Sequence, residues 1–379
     1  MRSVVIVLVS AFAAACLGFL SRMEPPEYPA EVGTLTLVGQ FSINALSRIP
    51  PVIGLPFGGI SGLAMEPGSR NLLGISDAQQ GGRIYRFTLD AVDGDFRVQP
   101  TDFISLEAAP GNFRPDHESL AVLPTGNFLV SSEGSGREPR LPSAIAEYGP
   151  HGEFIRLLPL PDRYVPEPTG PLTRGARGNA GFESLTITPD GERLFTGTET
   201  ALVQDGDPAT FEAGTRARIL EYVARGDTFA PAREFVYPVE KIDRPSFEPA
   251  VMINGLVDLL ALDRSSLLAL ERGYVEEKGK TGHSVNRIRV YRISLAGATD
   301  VSAIDSLKGN DQVVPVSKTL VLDLTNVAGL SPDLAPGLDN FEGMTFGPRM
   351  ADGRATLLLV SDDNFNALQR TWFLRFAIH

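Results

Sequence analysis

GFESLTITPDGERLFTGTE, residues 181–199, contains a strand, a turn and a second strand that closes on an acid, Glu199. Pro189-Asp190-Gly191 supplies the hairpin chemistry between the two strands. The same plan recurs upstream in GISGLAMEPGSRNLLGISD (59–77) and HESLAVLPTGNFLVSSE (117–133), and downstream in GLVDLLALDRSSLLALE (255–271) and NFEGMTFGPRMADGRATLLLVSD (340–362). Alignment of the five places Ser61, Glu118, Glu183, Val257 and Glu342 at one equivalent position. Asp77, Glu133, Glu199, Glu271 and Asp362 close the second strands. A repeat of this length is the mark of a solenoid or propeller, in which each unit buries its apolar face against the next.

Each hairpin is followed by further strand-like sequence. RIYRFTLD (83–90) and DFRVQPTDFISL (95–106) follow the first, AIAEYGP (144–150) and EFIRLLPL (153–160) the second. ARILEYVA (217–224) and AREFVYPV (232–239) follow the third, and NRIRVYRISL (286–295) and SKTLVLDL (317–324) the fourth. Four antiparallel strands per unit make one propeller blade, so the expected fold is all-β, a five-bladed β-propeller. A sixth blade would have to come from residues 44–58 or 296–316, and neither is sufficient. The last unit has one further strand, RTWFLRFAI (370–378), and TLTLVGQFSI (34–43) is an orphan at the other end. The orphan strand is expected to close the ring there and remove an exposed edge. The alternative is a β-sandwich with coincidental hairpins.

Residues 1–22 read as a targeting segment: Arg2 precedes an apolar run from Val4 to Leu20, with Ala13, Ala14 and Ala15 before Cys16. Three outcomes compete: cleavage as a signal peptide, retention as a short membrane anchor, or lipid attachment at Cys16, for which the preceding residues make a poor lipobox. Any of them places the chain outside the cytoplasm, in the periplasm or cell envelope, with membrane contact only through this segment. Residues 23–33, with Pro25, Pro26 and Pro29, read as a linker to a domain spanning 34–379. Cys16 is the only cysteine, so that domain has no disulfide and no thiol chemistry.

Composition narrows the function classes. Thirty-eight Gly and 29 Pro indicate many turns, and 43% hydrophobic residues suffice for a large core. A net charge of −12 argues against nucleic acid, whose phosphates need clustered Lys and Arg, and suits cations. Standard catalytic signatures are missing: GxSxG, SxxK, HExxH and a correctly spaced P-loop are all absent. Four histidines make a zinc cage improbable, although His117 stands beside Glu118.

The start of a hairpin's first strand lies beside the end of its second. Glu118 should therefore neighbour Glu133, Glu183 should neighbour Glu199, and Glu342 should neighbour Asp362, on one rim of the channel. Like charges that close need a cation, an Arg or raised pKa values. Arg272, Arg174 and Arg177 are the internal candidates for neutralisation. The fourth unit departs from the pattern, since Val257 replaces the first acid and Asp258 should point to the opposite face.

The elements GGISGLA, DHESLAV, NAGFESLTITPDG, ALERGY, and NFEGMTFGP followed by LLLVSDDNF together resemble the phytase-like family, the "esterase-like activity of phytase" domain. The likeness covers roughly residues 35–379 and implies a secreted or envelope propeller associated with ester or phosphoester hydrolysis. It carries no established catalytic residues to this chain. Phytate itself needs a basic pocket or bridging calcium, whereas this rim is acidic. Two classes stay open. In the first, an exported hydrolase of small esters or phosphoesters, Glu118, Glu183, Glu342, His117 and Arg272 face the substrate. Asp77, Glu133, Glu199, Glu271 and Asp362 are then the metal-ligand candidates, and carboxylate oxygens suit Ca2+ before magnesium. In the second, the propeller binds a ligand or envelope protein without chemistry and the acids are structural.

Overall fold

Twenty strands form five four-stranded antiparallel sheets in the computed structural model, which describes residues 28–29, 31–44, 57–78, 81–92, 95–110, 116–280, 282–334 and 337–379. The N-terminal strand β1 is Leu35–Asn44. The first blade comprises β2 (Ile60–Met65), β3 (Asn71–Ser76), β4 (Arg83–Val92) and β5 (Asp95–Ser105). The second comprises β6 (His117–Val122), β7 (Phe128–Ser132), β8 (Ala144–Tyr148) and β9 (Phe154–Leu157). In the third are β10 (Thr186–Ile187), β11 (Arg193–Gly197), β12 (Thr215–Arg225) and β13 (Thr228–Val239). The fourth holds β14 (Pro249–Ala261), β15 (Ser266–Glu277), β16 (Ser284–Ser294) and β17 (Ser317–Asp323). The last holds β18 (Asn340–Gly347), β19 (Thr356–Asp362) and β20 (Arg370–Ile378).

The sheets meet face to face, so the core is divided into five apolar layers, one between each pair of neighbouring blades. Leu73, Ile75 and Ile84 of the first blade pack on Leu120, Val130 and Tyr148 of the second. Leu129 and Ile145 meet Phe182 and Leu194, and Ile219 and Phe235 meet Leu259 and Leu267. Leu268 and Ile288 meet Met344 and Trp372, and Val360 and Phe373 return to Ile60 and Phe87. Strands buried on both faces need apolar residues at successive positions, which is why Leu357, Leu358, Leu359 and Val360 are all buried.

Ring closure follows the expected route. Strand β1 pairs antiparallel with β20, from Leu35 opposite Ile378 to Asn44 opposite Arg370, and completes the last blade from the other end of the chain. A bulge between Leu37 and Gly39 bends the strand where it passes the first blade. A Cβ on Gly39 would lie 2.6 Å from Cβ of Phe96, so only glycine lets the chain pass this close. Residues 295–316 form no sixth blade; they lie over the third, where Leu307 and Val301 cluster with Val236. The targeting segment 1–22 lies outside the described residues. Within the expected linker, Tyr28 stacks edge-on against Phe346 at 5.4 Å between ring centroids, and Val32 is buried between the last two blades.

Candidate functional site

The inner strands β2, β6, β10, β14 and β18 line the central channel, and four of them break register. The irregularities fall between Ile60 and Gly62, His117 and Leu120, Leu256 and Asp258, and Phe341 and Gly343. In the third blade, Phe182 opposes Thr198 and Thr186 opposes Phe195, so three inner residues face two outer ones. The aligned position Ser61, Glu118, Glu183, Val257 and Glu342 therefore falls in a β-bulge in every blade. An extra residue turns a side chain out of the ordinary up-and-down alternation. Here it re-aims the acids at the channel.

Just before each bulge the inner strand is still paired. The Asp77 N–H donates to Gly59 O at 2.9 Å, that of Glu133 to Asp116 O at 3.0 Å, and that of Glu199 to Gly181 O at 3.0 Å. In the last two blades Arg272 opposes Gly255 and Asp362 opposes Asn340. One ring position thus carries Asp77, Glu133, Glu199, Arg272 and Asp362. A Cβ on Gly255 would come within 2.2 Å of the Glu199 side chain, so glycine there makes room for the neighbouring carboxylate.

Two placements differ from the sequence alignment. Glu271 opposes Leu256, one step off the ring position, and lies between the third and fourth blades. There it accepts from Tyr237 Oη at 2.8 Å and pairs with Lys318 Nζ at 2.7 Å. Turn lengths vary between the hairpins, so matching terminal acids shifted the fourth unit by one residue. The place expected for an acid holds Arg272, whose guanidinium reaches Glu199 at 3.2 Å, Glu342 at 3.3 Å and Asn340 Oδ1 at 2.7 Å. His117 is the second. Alternation turns it away from Glu118, and it lies buried, edge-on to Tyr148. Burial pushes its pKa down to about 4, so the ring is neutral at physiological pH and cannot attract an anion by charge.

The structure brings the remaining acids together. Carboxylate oxygens of Asp116, Glu118 and Glu133 all lie within 4.8 Å of one another. Glu183 lies beside Glu133 and feels its charge, and Asp77, Glu342 and Asp362 act on one another electrostatically. Asp116 is not among the sequence candidates; it stands just before β6, and the bond from the Glu133 N–H to its carbonyl brings it to the cluster. Asp258 does point away from Val257. It is buried, and its carboxylate accepts the Met344 N–H at 2.7 Å and the Leu259 N–H at 2.8 Å, tying the fourth blade to the last. Arg174 and Arg177 are not the neutralising groups: their guanidiniums donate to the carbonyls of Val165, Ala201 and Gly206.

Crowding raises the pKa values of these acids. Burial, then the charges of Glu342, Asp116 and Asp363, push Asp77 up to about 8. Glu118 is pushed well above the carboxylate range by burial and then by Glu133, and Glu183 by burial and the same neighbour. Burial and Asp77 do the same to Asp362. Glu199 rises only to about 7, because Arg272 counters its burial. Two buried atoms of the cluster, Asp77 Oδ1 and Arg272 Nε, have no hydrogen-bond partner among the described residues. The donor set is all oxygen, so it fits a hard cation, and the oxygens of Asp116, Glu118 and Glu133 lie within the span that one calcium bridges. That span is roughly 4.6–5.2 Å, twice a bond of 2.3–2.6 Å.

The family model described as "Phytase-like: Esterase-like activity of phytase" matches residues 55–365, which include every residue of this cluster. An uncharacterised secreted protein of Arthroderma benhamiae is 30% identical over 142 residues, 32% of this chain; the match spans 26% of that protein's length. Among solved structures, an endo-arabinase from Bacteroides thetaiotaomicron is similar at 14% identity and a TM-score of 0.42, over 88% of this chain and 98% of its own. A gluconolactonase from Xanthomonas campestris is similar at 11% identity and a TM-score of 0.31, over 91% of this chain and 98% of its own. Likenesses this distant carry no chemistry across. Among the described residues no helix is long and apolar enough to cross a membrane.

Proposed function

We propose that this chain, which belongs to the phytase-like (esterase-like activity of phytase) family, is an exported hydrolase of small esters or phosphoesters that holds a divalent cation at its acidic channel mouth, calcium before magnesium. The observation that carries the reading is the convergence of Asp116, Glu118 and Glu133 on one small volume, with Glu183 beside Glu133. Those four would hold the ion. Bound, it would polarise an ester oxygen and lower the pKa of a water. Arg272, across the mouth with its Nε unpaired among the described residues, would receive the anionic part of the substrate. Glu199 and Glu342 hold that guanidinium in place. Calcium tolerates ligands arriving from several blades, whereas magnesium demands a tight octahedron. Export is supported by the apolar segment 4–20 and by the secreted relative, and the periplasm or cell envelope is the compartment we propose.

The test joins metal analysis of purified protein to a panel of aryl esters and phosphoesters, with and without a calcium chelator. About one calcium per chain and hydrolysis that chelation abolishes are expected, with Glu118→Gln losing both. Hydrolysis indifferent to the chelator and to Glu118→Gln would remove the cation from the reading. A second reading, a non-catalytic ligand- or protein-binding propeller, is favoured by the pairing of Arg272 with Glu199 and Glu342. Calcium bound with no turnover across the panel would select it.

A further inference from the structure

The other mouth of the same channel is an apolar cavity of about 440 Å³. Leu63, Leu120, Ile187, Leu260 and Met344, one from each inner strand or its extension, form its wall, and Tyr28 sits at its edge against Phe346. None of the lining residues among the described ones is charged, in a chain of which 21% is charged. The polar atoms that reach it come from hydroxyls such as Thr186 and Thr345 and from the backbone. The cavity falls in the range of ~300–1,000 Å³ over which pockets bury a small molecule. Between the two mouths the inner strands are tied across blades: the Met344 N–H donates to Asp258 at 2.7 Å and Ser119 Oγ to the Leu185 carbonyl at 3.4 Å.

We infer that this mouth is a second binding site, for a small uncharged and largely apolar molecule, independent of the acidic mouth. An ionised ligand would lose its hydration against these walls and gain no counter-charge. An apolar one releases ordered water from its own surface and from the wall, which favours binding.

The experiment titrates the full chain with N-phenyl-1-naphthylamine, a neutral fluorophore, and in parallel with 8-anilinonaphthalene-1-sulfonate, a charged probe of similar size. Saturable binding of the neutral probe at one per chain is expected, unchanged by calcium or chelator, with the sulfonate about tenfold weaker or worse, a difference of ~1.4 kcal/mol. Ile187→Asp should introduce a charge and Val122→Phe should fill the space, each weakening the neutral probe by about tenfold or more. Thermal melts accompany each variant, and Val122→Phe decides if Ile187→Asp does not fold. Failure of the neutral probe to saturate, equal affinity for the sulfonate, or undiminished binding in folded Val122→Phe would each overturn the site.

Discussion

The acidic mouth and the apolar mouth are the two ends of the same five inner strands, separated by the length of one short strand. At the apolar end those strands run regularly into their hairpins, and side chains such as Leu260 and Met344 follow the packing of the blades behind them. At the acidic end every inner strand is bulged, and the re-aimed residue is Glu in three blades of five. Burial at the first end needs no compensation, because none of the described residues lining it is charged. At the second, each buried carboxylate loses hydration, and relief comes from a proton, from Arg272 or from a bound ion. One fold thus holds a chemically quiet opening and an electrostatically loaded one, and perturbations should act on them unequally.

The largest effect is expected from Arg272→Met. It leaves Glu199 and Glu342 without their cation in a buried setting and should destabilise the chain by about 3 kcal/mol. Urea unfolding in chelator at pH 8 measures it. The loss should shrink at pH 5, where the acids take up protons instead, and in calcium. A loss below about 1 kcal/mol at pH 8 would mean that the acidic mouth carries less charge than its composition implies.

Calcium should come next. Binding to the folded state alone raises stability by about 2.7 kcal/mol at a hundredfold excess over Kd, and the melting midpoint should climb with calcium concentration. Glu183→Gln should blunt that climb, while Glu271→Gln and Glu153→Gln should leave it intact, since neither residue lies in the cluster. Melts identical in calcium and chelator would break the contrast between the two ends.

The pH response has a definite sign. Asp77 and Glu199, pushed up to about 8 and about 7, keep protons in the fold that the unfolded chain releases near pH 4. Between those values the folded state binds more protons, so their contribution favours folding at low pH and is lost as pH rises through 7 to 8. His117 works the other way. Its contribution is present above the ordinary histidine value near 6.5 and is lost as pH falls toward about 4. Comparing wild type with Asp77→Asn in chelator isolates the acid component. The variant should lose less stability than wild type between pH 5 and 8, and a steeper loss would reverse the assignment.

The smallest effect belongs to the apolar mouth. Tyr28→Ala removes an edge-on aromatic pair, worth about 0.5–1.5 kcal/mol beyond its buried area. It should lower the melting midpoint by a few degrees without moving the calcium response. A changed calcium midpoint in Tyr28→Ala would show the two ends to be coupled.

The blade plan was legible because hairpin turns and apolar strands are local signals. RTWFLRFAI, for instance, was placed at residues 370–378, the bounds of β20. The pairing of β1 with β20 could be inferred by bookkeeping alone, from one strand lacking and one left over. Glu118, Glu183 and Glu342 were readable as one class because the repeat aligned them. Glu271 and Arg272 were not separable in the same way. Their assignment turns on whether Leu256 or Gly255 opposes the residue, and that register is set by a bulge that leaves no mark in the residue types. Asp116 was passed over for a related reason, since it stands outside the aligned strand and enters the cluster only through the pairing of its carbonyl with Glu133.

The sequence by itself determined the repeat, the number of blades and the crowd of carboxylates at one end of the hairpins, because strand, turn and residue type are properties of short stretches of chain. Only the tertiary structure decided which side chain of each pair faces the channel, that Arg272 of the fourth blade stands among acids from its neighbours, and that the far mouth is hollow and lined, among the described residues, without charge. Those depend on distances between residues tens to hundreds of positions apart, where one step of register moves a side chain from the channel to the core.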